Sequence, residues 1–496
     1  MKTFAYKAAG AGLALCLMLG IGGCSNVLDV SLPADLTGDA LDDPVSAGTQ
    51  INSMIVLFEN GMSNFDYTVH GHEDGVEVVL ASPSINGSTF GYVANAPNFS
   101  EFMQSRQFAK SLHEKLDKTW TVAQVAKRAQ YLAITSIYEG AVVAWMGASL
   151  CEGALDAGKV MSQADMYAAA DQVLTRAVTE IQAAGDFAMP FGISTSALTM
   201  AYGLRAQNSW MAGNLAAARA DAERVTGVGA VPTRFFAYMT RENTTTRRNL
   251  PYYNGPSARF ALMQGVVDWW KGSLRQPNPA NGKLWPEVIP FTGYTELGIL
   301  PDGRAVRDDG LPIRMAGNGT IPQNYRTPIE STAVPDTRVP FIIGLVGGKS
   351  TPSYIATKFT ALNQYIPLVN WKEMMLIRAE AAGGQGAIDR VNELRAADNL
   401  PRVTYLAASD AEGIRRMIIE ERRRTLFQEG RYYYTKLKNL DLLWFPRKQG
   451  AMPNNGSQYQ GGVRLAMPDN EYLLNPNILD LNKRATGCDA KSAPVF

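Results

Sequence analysis

Hydrophobic residues recur at helical spacing over two long stretches in the first half of the chain. In residues 122–150 and again in residues 164–184, apolar or small side chains return every three to four positions, as they do on one face of an α-helix. Gly185 follows the second stretch and is predicted to end it. Both stretches are therefore predicted to be amphipathic helices.

Turn-forming residues set the predicted limits of a helix nearer the N-terminus. Residues 45–59 fit a helix, and the pair Asn60-Gly61 is predicted to end it because this pair favours turns. Residues 61–105 are rich in Gly, Asn, Ser and Pro. They are predicted to be irregular.

Two pairs of predicted helices are joined by glycine-containing turns. Residues 196–225 form two helices joined at Gly213-Asn214, and residues 371–382 and 386–397 form two more joined at Gly383-Gly384. Small residues recur in the first pair where its helices would touch: Ala201, Ala206, Ala212, Ala218 and Ala222. Such spacing allows close packing, as in tetratricopeptide-type hairpins. The sequence shows no strict 34-residue repeat, so the prediction is a scaffold of helical hairpins with interruptions.

The helical pattern stops in residues 227–365, where Gly, Pro, Asn and aromatic residues dominate. Roughly 140 residues without helical periodicity are too many for a passive loop, and such segments often carry function. The predicted fold is therefore mostly α, with a tetratricopeptide-like helical half over residues 45–226 and a large irregular inserted lobe over residues 227–365. Residues 366–496 form the second helical half and a C-terminal tail.

The first 24 residues have the composition of an export signal. Lys2 and Lys7 precede a short apolar run that ends at Ile21-Gly22-Gly23-Cys24. The run is too short and too weakly apolar for a membrane span. An aliphatic residue followed by two small residues and a cysteine resembles a bacterial lipobox. That resemblance implies a signal peptide over residues 1–23, palmitate-type acylation of Cys24 and a tether over residues 24–44; the alternative is an ordinary signal peptide.

Export also bears on the remaining cysteines. If the signal peptide is removed and Cys24 is lipidated, Cys151 and Cys488 are the two thiols left in the chain. They can form a disulfide, which persists in an oxidising compartment, or stay as buried free thiols. The sequence leaves both alternatives open.

Composition excludes several classes of function. Lys and Arg number 47 against 46 Asp and Glu, a net charge of +1, so nothing favours binding to nucleic acid. A hydrophobic content of 46% is enough for a sizeable core. The chain has 3 histidines, too few for a histidine-rich metal site. No cofactor, metal site or catalytic motif is predicted.

Four segments near the C-terminus occur in an order typical of one family. They are Leu376-Ile-Arg-Ala-Glu-Ala381, residues 387–395, residues 418–431, and Arg464-Leu-Ala-Met-Pro468 followed by Glu471 and Asn475-Pro476. In order and spacing they resemble the SusD/RagB family of nutrient-binding outer-membrane lipoproteins. Cys24 with Leu28-Asp29 and Pro33 resembles the family's N-terminal pattern. Thr435 departs from it where the family has Asp, and Leu465-Ala-Met-Pro468 stands for its Phe-Pro-Ile-Pro.

The resemblance implies a function as well as a SusD-like fold. It implies a lipoprotein of the outer membrane, exposed on the cell surface and attached through its lipid only. Such a protein captures an oligosaccharide or oligopeptide and passes it to a TonB-dependent SusC-like transporter, without being an enzyme. Two alternatives are a non-catalytic scaffold lipoprotein of the envelope and a surface glycan hydrolase.

The helix that contains Glu420, Glu421 and Arg422–Arg424 is predicted to have a structural role. Glu and Arg three or four positions apart pair across a helical turn, and each exposed pair contributes about 0.2–0.5 kcal/mol. The apolar side of the helix carries Met417, Ile418, Leu426 and Phe427. We expect this segment to fasten the C-terminal helices together rather than to act in catalysis.

The inserted lobe is the predicted binding surface because aromatic residues stand there among amides and a guanidinium. Aromatic faces contact sugar C–H groups, and polar side chains reach the hydroxyls. The alternative is that these rings are buried against the helices. The candidate ligand-binding residues are Tyr252, Tyr253, Trp269, Trp270, Arg275, Trp285 and Tyr294.

Overall fold

The computed structural model describes twelve stretches of the chain, and within them the protein is mostly helical, which confirms the predicted fold class. The described residues are 38–70, 77–78, 99–229, 231–244, 246–254, 260–261, 338, 341–345, 352–400, 402–403, 406–439 and 464–478.

Seven helices lie in the described chain before residue 230. They are α1 (Gly38–Leu41), α2 (Ala47–His70), α3 (Phe99–Lys118), α4 (Arg128–Ser149), α5 (Gln163–Ala184), α6 (Ala197–Met211) and α7 (Leu215–Thr226), with 3-10 turns at Pro44–Ser46 and Pro190–Gly192.

The described chain after residue 230 contains five of the six short strands and the remaining helices. The helices are α8 (Leu250–Asn254), α9 (Trp371–Ala382), α10 (Gly384–Ala397), α11 (Ala411–Thr425), α12 (Tyr432–Lys438) and α13 (Asp469–Leu474). The first strand, β1 (Glu77–Val78), lies before residue 230. The other five are β2 (Phe236–Met239), β3 (Phe260–Ala261), β4 (Phe341–Leu345), β5 (Pro352–Ala356) and β6 (Ile366–Asn370). Together the strands form the antiparallel pairs β1–β3, β2–β6 and β4–β5.

Helices that follow each other in sequence pack against each other. α3 contacts α4, α4 contacts α5, α5 contacts α6 and α6 contacts α7. Later in the chain, α9 contacts α10, and α11 contacts both. α9 also contacts α7, so the two sets of helices are continuous. This is the stacking expected of helical hairpins, in which each pair buries its apolar face against the next.

Both predicted hairpin joints occur at their glycine-containing turns. Gly213 has a φ of 84°, and the Asn214 side chain caps α7 by accepting a hydrogen bond of 3.2 Å from the N–H of Ala217. Gly383 has a φ of 61° and ends α9, and α10 begins at the next residue. Because glycine adopts a positive φ without steric cost, these pairs reverse the chain between two packed helices.

The predicted end of the first long helix was wrong. α2 continues through Asn60-Gly61 to His70, and α3 begins at Phe99, inside the range predicted to be irregular. A Cβ on Gly61 would come within 3.0 Å of the Phe102 ring in α3. Gly61 therefore serves the close approach of two helices, not a turn, and tertiary packing overrides the local turn signal.

Strands β2 and β6 lie at the two ends of the segment that separates the helical halves, and they pair with each other. Phe236 lies opposite Asn370 and Met239 opposite Ile366, with an irregularity in register between Ala237 and Tyr238. The ladder is short, but it leads directly into α9, whose N-cap is Asn370. The chain thus leaves the first set of helices and re-enters the second at one place.

The C-terminal helices are fastened by buried ion pairs, as predicted. Glu421 on α11 accepts hydrogen bonds from Arg395 on α10 (2.7 Å) and from Arg338 (2.6 Å). All three side chains are buried. Glu420 accepts from Arg424 at 2.7 Å within α11. Because these charges are removed from water, the small energies of exposed pairs do not describe them.

The tail at residues 464–478 docks on the segment that follows α4. Leu465 and Leu150 form a parallel bridge, in which the N–H of Cys151 donates to the carbonyl of Leu465 (2.9 Å). Arg464 donates to the carbonyl of Ala148 at 2.6 Å, and the Tyr472 hydroxyl donates to Glu152. The end of the family-like motif is therefore attached to the first set of helices.

Cys151, at this junction, is disulfide-bonded. Cys488 lies outside the described residues, so its pairing with Cys151 stays a prediction. The predicted signal peptide and Cys24 also lie outside the described residues, and the limits of the predicted lobes stay predictions. Among the helices of the described stretches, none is both long and apolar enough to cross a membrane.

Candidate functional site

Three aromatic side chains lie side by side on the β2–β6 sheet and the turn before it. The rings of Phe236 and Tyr238 are stacked, with centroids 5.5 Å apart and planes 13° apart. The Tyr365 ring lies 6.2 Å from that of Tyr238. Phe236 and Tyr238 are half-buried and Tyr365 is 38% exposed. We call Phe236, Tyr238 and Tyr365 the aromatic row.

Strand alternation explains why the rings of Phe236 and Tyr238 are partly exposed. Along β2, Ala237 and Met239 are buried while Phe236 and Tyr238 are only half-buried, because successive side chains point to opposite faces. Met239 joins Phe359 and Ile366 in a buried cluster beneath the sheet. One face of the sheet therefore anchors it, and the other presents aromatic rings.

The sheet is held in place from both sides. The N–H of Tyr238 donates to the carbonyl of Ile193 at 2.8 Å. Phe236 packs against the hydrophobic cluster formed by α9, α10 and α11. Helix α6 can pack closely against β6 because residue 203 is a glycine. A Cβ on Gly203 would lie 2.3 Å from Cγ1 of Val369 in β6. These contacts attach the aromatic row to the helical scaffold.

The turn that carries Tyr365 is fixed by side-chain hydrogen bonds. The Gln364 side-chain oxygen accepts from the N–H of Thr360 at 2.7 Å. The backbone oxygen of Gln364 accepts from the Asn249 side chain at 2.8 Å, and the N–H of Asn249 donates to the carbonyl of Leu362 at 2.6 Å. Two separate segments of the predicted lobe are therefore joined next to Tyr365.

The buried carboxylate of Glu429 affects the pKa of Tyr238 in the aromatic row. Glu429 forms an ion pair of 2.7 Å with Lys358 and accepts from the Asn370 amide at 3.0 Å. Burial, with the charge of Glu429 as a further cause, raises the pKa of the Tyr238 hydroxyl. That hydroxyl therefore stays protonated at neutral pH and can both donate and accept hydrogen bonds.

The candidate residues named from the sequence fall in different places. Tyr252 packs against the cluster beneath the sheet, and the Tyr253 ring lies under the Arg248 guanidinium, 3.4 Å from its centroid. Trp269, Trp270, Arg275, Trp285 and Tyr294 lie outside the described residues. The structure does not test the binding role of any of these seven, which stays a prediction.

Sequence reasoning missed the aromatic row, although a signal was present. Phe236 and Tyr238 are two positions apart, the spacing of one face of a strand. Tyr365 is 127 positions further along the chain than Tyr238, and only the pairing of β2 with β6 brings it beside the other two. A single sequence gives no sign of such a long-range pairing.

Comparison with solved structures identifies the fold. A SusD-like carbohydrate-binding protein from Bacteroides vulgatus superposes with a TM-score of 0.58 at 11% identity, over 92% of this chain and 98% of that one. Surface glycan-binding protein A from Bacteroides thetaiotaomicron, in complex with laminarihexaose, gives a TM-score of 0.52 at 12% identity, over 88% and 99%. No family model and no curated protein matches the sequence.

These likenesses define the class of the protein at the level of its fold. The chain has a SusD-like fold, and the resemblance carried by its C-terminal motifs is confirmed in that respect. At identities of 11–12% the ligand does not follow from the fold.

Proposed function

We propose that this protein captures an oligosaccharide on the aromatic row and does not degrade it. The observation that carries the proposal is the row itself: Phe236, Tyr238 and Tyr365 present adjacent, partly exposed rings on a rigid sheet. Aromatic faces pack well against the C–H faces of sugar rings, and a row of rings can contact successive units of a chain. Capture needs no catalytic group.

Polar groups around the row suit the same ligand. The Tyr238 hydroxyl is a donor and an acceptor, and Lys358 lies half-buried beside Glu429. Polar groups at the edges of the aromatic rings can form hydrogen bonds with the hydroxyls of a bound sugar. The described SusD-like neighbours support this ligand class, since one binds carbohydrate and another is complexed with laminarihexaose. A peptide remains the alternative ligand.

The proposal extends to where the protein acts. The lipobox-like Ile21-Gly22-Gly23-Cys24 and the family-like motifs support a lipid-anchored protein on the outer surface of the outer membrane. There it would deliver its ligand to a TonB-dependent SusC-like transporter. Pull-down with the lipidated full chain tests the partner: recovery of an outer-membrane barrel supports it, and recovery of a periplasmic complex alone favours the scaffold alternative.

Replacing Tyr365 tests the binding face. Tyr365→Ala should weaken binding of laminarihexaose, used as a probe, by a few-fold to tenfold, because one aromatic contact contributes about 1 kcal/mol. Titration calorimetry measures the affinity, and thermal melting shows whether the variant is folded. Tyr131→Ala, a half-buried tyrosine on α4, is the matched control and should bind like the wild type.

A panel of probes separates this function from its rivals. If laminarihexaose does not bind, other oligosaccharides and a mixture of oligopeptides are titrated under the same conditions. Binding of peptides alone would replace the sugar with the peptide alternative. Release of shorter products from any bound glycan by the purified protein would favour the hydrolase alternative.

A further inference from the structure

The segment between β2 and α8 is rich in arginine. Residues 241–248 contain three arginines and one glutamate. Arg247 is buried and pairs with Glu242 and with Glu59 of α2, whose oxygen lies 3.3 Å away. Arg241 is also buried and donates to a backbone carbonyl at 2.8 Å. Two of the three arginines are therefore engaged inside the protein, and the third is not.

The third arginine, Arg248, presents its guanidinium without a hydrogen-bonding partner. Its side chain is half-buried, and across the described part of the chain it makes no hydrogen bond and no ion pair. The Nε atom is enclosed, whereas the two terminal nitrogens keep contact with solvent. A ligand can therefore reach the terminal N–H groups, which are the donors that an arginine offers to a carboxylate.

Tyr253 holds this guanidinium in place without using its donors. The guanidinium carbon of Arg248 lies 3.4 Å from the centroid of the Tyr253 ring. Stacking on an aromatic face fixes the plane of a guanidinium, while its N–H groups point outward in that plane. Tyr253 is itself fixed at the start of α8, because its N–H donates to the carbonyl of Asn249 at 2.9 Å. The stacked pair is thus a preorganised donor for an anionic oxygen.

The stacked pair lies beside the aromatic row. Asn249, which follows Arg248, donates through its N–H to the carbonyl of Leu362 at 2.6 Å. Its side chain donates to the carbonyl of Gln364 at 2.8 Å, and Gln364 precedes Tyr365. Because neighbouring Cα atoms are about 3.8 Å apart, Arg248 and Tyr365 are each one short step from this hydrogen-bonded pair. A single oligosaccharide chain can therefore contact both.

The charge of Arg248 favours an anionic ligand over a neutral one. Lys358, also near the row, donates to Glu429 at 2.7 Å and to the carbonyl of Phe427 at 2.6 Å, so its charge is used within the protein. The guanidinium of Arg248 has no such counter-charge among the described residues. Hydrogen bonds between a cation and an anion are stronger than those to a neutral hydroxyl. A carboxylate on the ligand would therefore gain the most from this residue.

We propose that Arg248, stacked on Tyr253, selects oligosaccharides that contain uronic acid units. This inference rests on the proposed glycan capture and names its substrate class. The rings of the aromatic row pack against the sugar units, and the carboxylate of one unit accepts from the terminal N–H groups of Arg248. Tyr253 acts as the support that orients the guanidinium.

Calorimetry with a matched pair of probes tests the selection. The probes are laminarihexaose and the same hexasaccharide oxidised at C6 to the carboxylate, so that linkage is shared and charge differs. The wild type should bind the oxidised probe about tenfold more tightly, and added salt should reduce this preference. Equal or weaker binding of the oxidised probe would overturn the proposal.

Three variants locate the preference. Arg248→Gln should abolish it while leaving the affinity for laminarihexaose unchanged, and Arg248→Lys, which keeps the charge but not the planar fork, should retain part of it. Arg224→Gln is the matched control, since it removes a guanidinium that also lies over a tyrosine ring, 5.8 Å from the centroid of Tyr202. It should keep the full preference. A preference that survives in Arg248→Gln, or is lost in Arg224→Gln, would overturn the assignment.

The outcomes separate this inference from the glycan proposal. Because the Arg248 side chain makes no hydrogen bond, Arg248→Gln should melt like the wild type. If laminarihexaose binding depends on Tyr365 but the oxidised probe has no advantage, capture on the row stands and the selection fails. If the oxidised probe binds through Arg248 and Tyr365→Ala has no effect, the selection stands and the row fails. Binding of oligopeptides through Arg248, with neither sugar bound, would overturn both.

Discussion

Glu421 is a carboxylate removed from water and held between Arg395 and Arg338, at 2.7 and 2.6 Å. These three side chains come from separate parts of the sequence, so their pairing fixes the position of α11 against its neighbours. The sequence predicted that the helix would fasten its neighbours, but it did not show that the charges are buried. Because these charges are buried, the loss of one partner lowers the free energy of unfolding by much more than it would at the protein surface.

Replacing this carboxylate should therefore be severe. Glu421→Gln leaves two buried guanidinium groups without their counter-charge and should lower the free energy of unfolding by about 3–5 kcal/mol. Urea denaturation measures the change. Glu412→Gln removes an exposed partner of Arg416 on the same helix and should alter stability by less than about 1 kcal/mol. Equal effects of the two substitutions would contradict the role given to Glu421.

Asp156 gives a pH-dependent contribution to stability. Hydrogen bonds from Arg106, at 2.9 and 3.0 Å, with Lys110 beside it, lower the pKa of this carboxyl from 3.8 to about 2. Because the folded pKa is below the unfolded one, the stabilisation is present above about pH 4 and is lost as the pH falls towards 2. The side chain is 40% exposed, so solvent screening reduces the contribution to about 1 kcal/mol.

The variant Asp156→Asn should show this dependence. Its free energy of unfolding should be about 1 kcal/mol below that of the wild type at pH 7, and the difference should shrink as the pH falls below 4. Urea denaturation at several pH values measures it. Asp117→Asn, whose partner Arg128 lies 3.9 Å away, is the control and should show little difference at any pH. A constant difference for Asp156→Asn would contradict the ion-pair explanation.

At the scale of elements, the hairpins were predictable and the long-range pairings were not. Gly213 and Gly383 mark the ends of helices because they adopt positive φ, which is a local property of the chain. Gly61 carries the same local signal but lies inside α2, where it makes room for Phe102. The aromatic row was missed for a related reason, since it exists only once β2 pairs with β6.

The contact between α6 and β6 depends on the absence of a side chain at Gly203. Gly203→Ala would place a Cβ 2.3 Å from Val369, and the overlap should lower the free energy of unfolding by about 1–3 kcal/mol. Denaturant titration measures the loss. Adding Val369→Ala to Gly203→Ala removes the overlap, so the second change should cost less in this background than in the wild type. Additive losses would show that the two residues are not coupled.

At the scale of the whole molecule, the proposed attachment to a membrane depends on one residue. The lipobox-like segment ends at Cys24, the residue proposed to carry the lipid. Cys24→Ala should therefore leave the protein outside the membrane fraction, because acyl chains provide the proposed anchorage. Fractionation of cells labelled with palmitate measures both effects. Unchanged labelling and unchanged membrane association would contradict the lipid anchor.

The ladder between β2 and β6 has a consequence for how this protein can change over time. The chain departs from the helices at Phe236–Met239 and returns at Ile366–Asn370, and these two strands are hydrogen-bonded to each other. Residues between them can be lengthened, shortened or exchanged while both ends stay where they are, provided that the contacts of Arg338 with Glu421 and of Phe359 with the cluster beneath the sheet are kept. Evolution, or a protein engineer, can in this way alter this segment without redesigning the helices that support it.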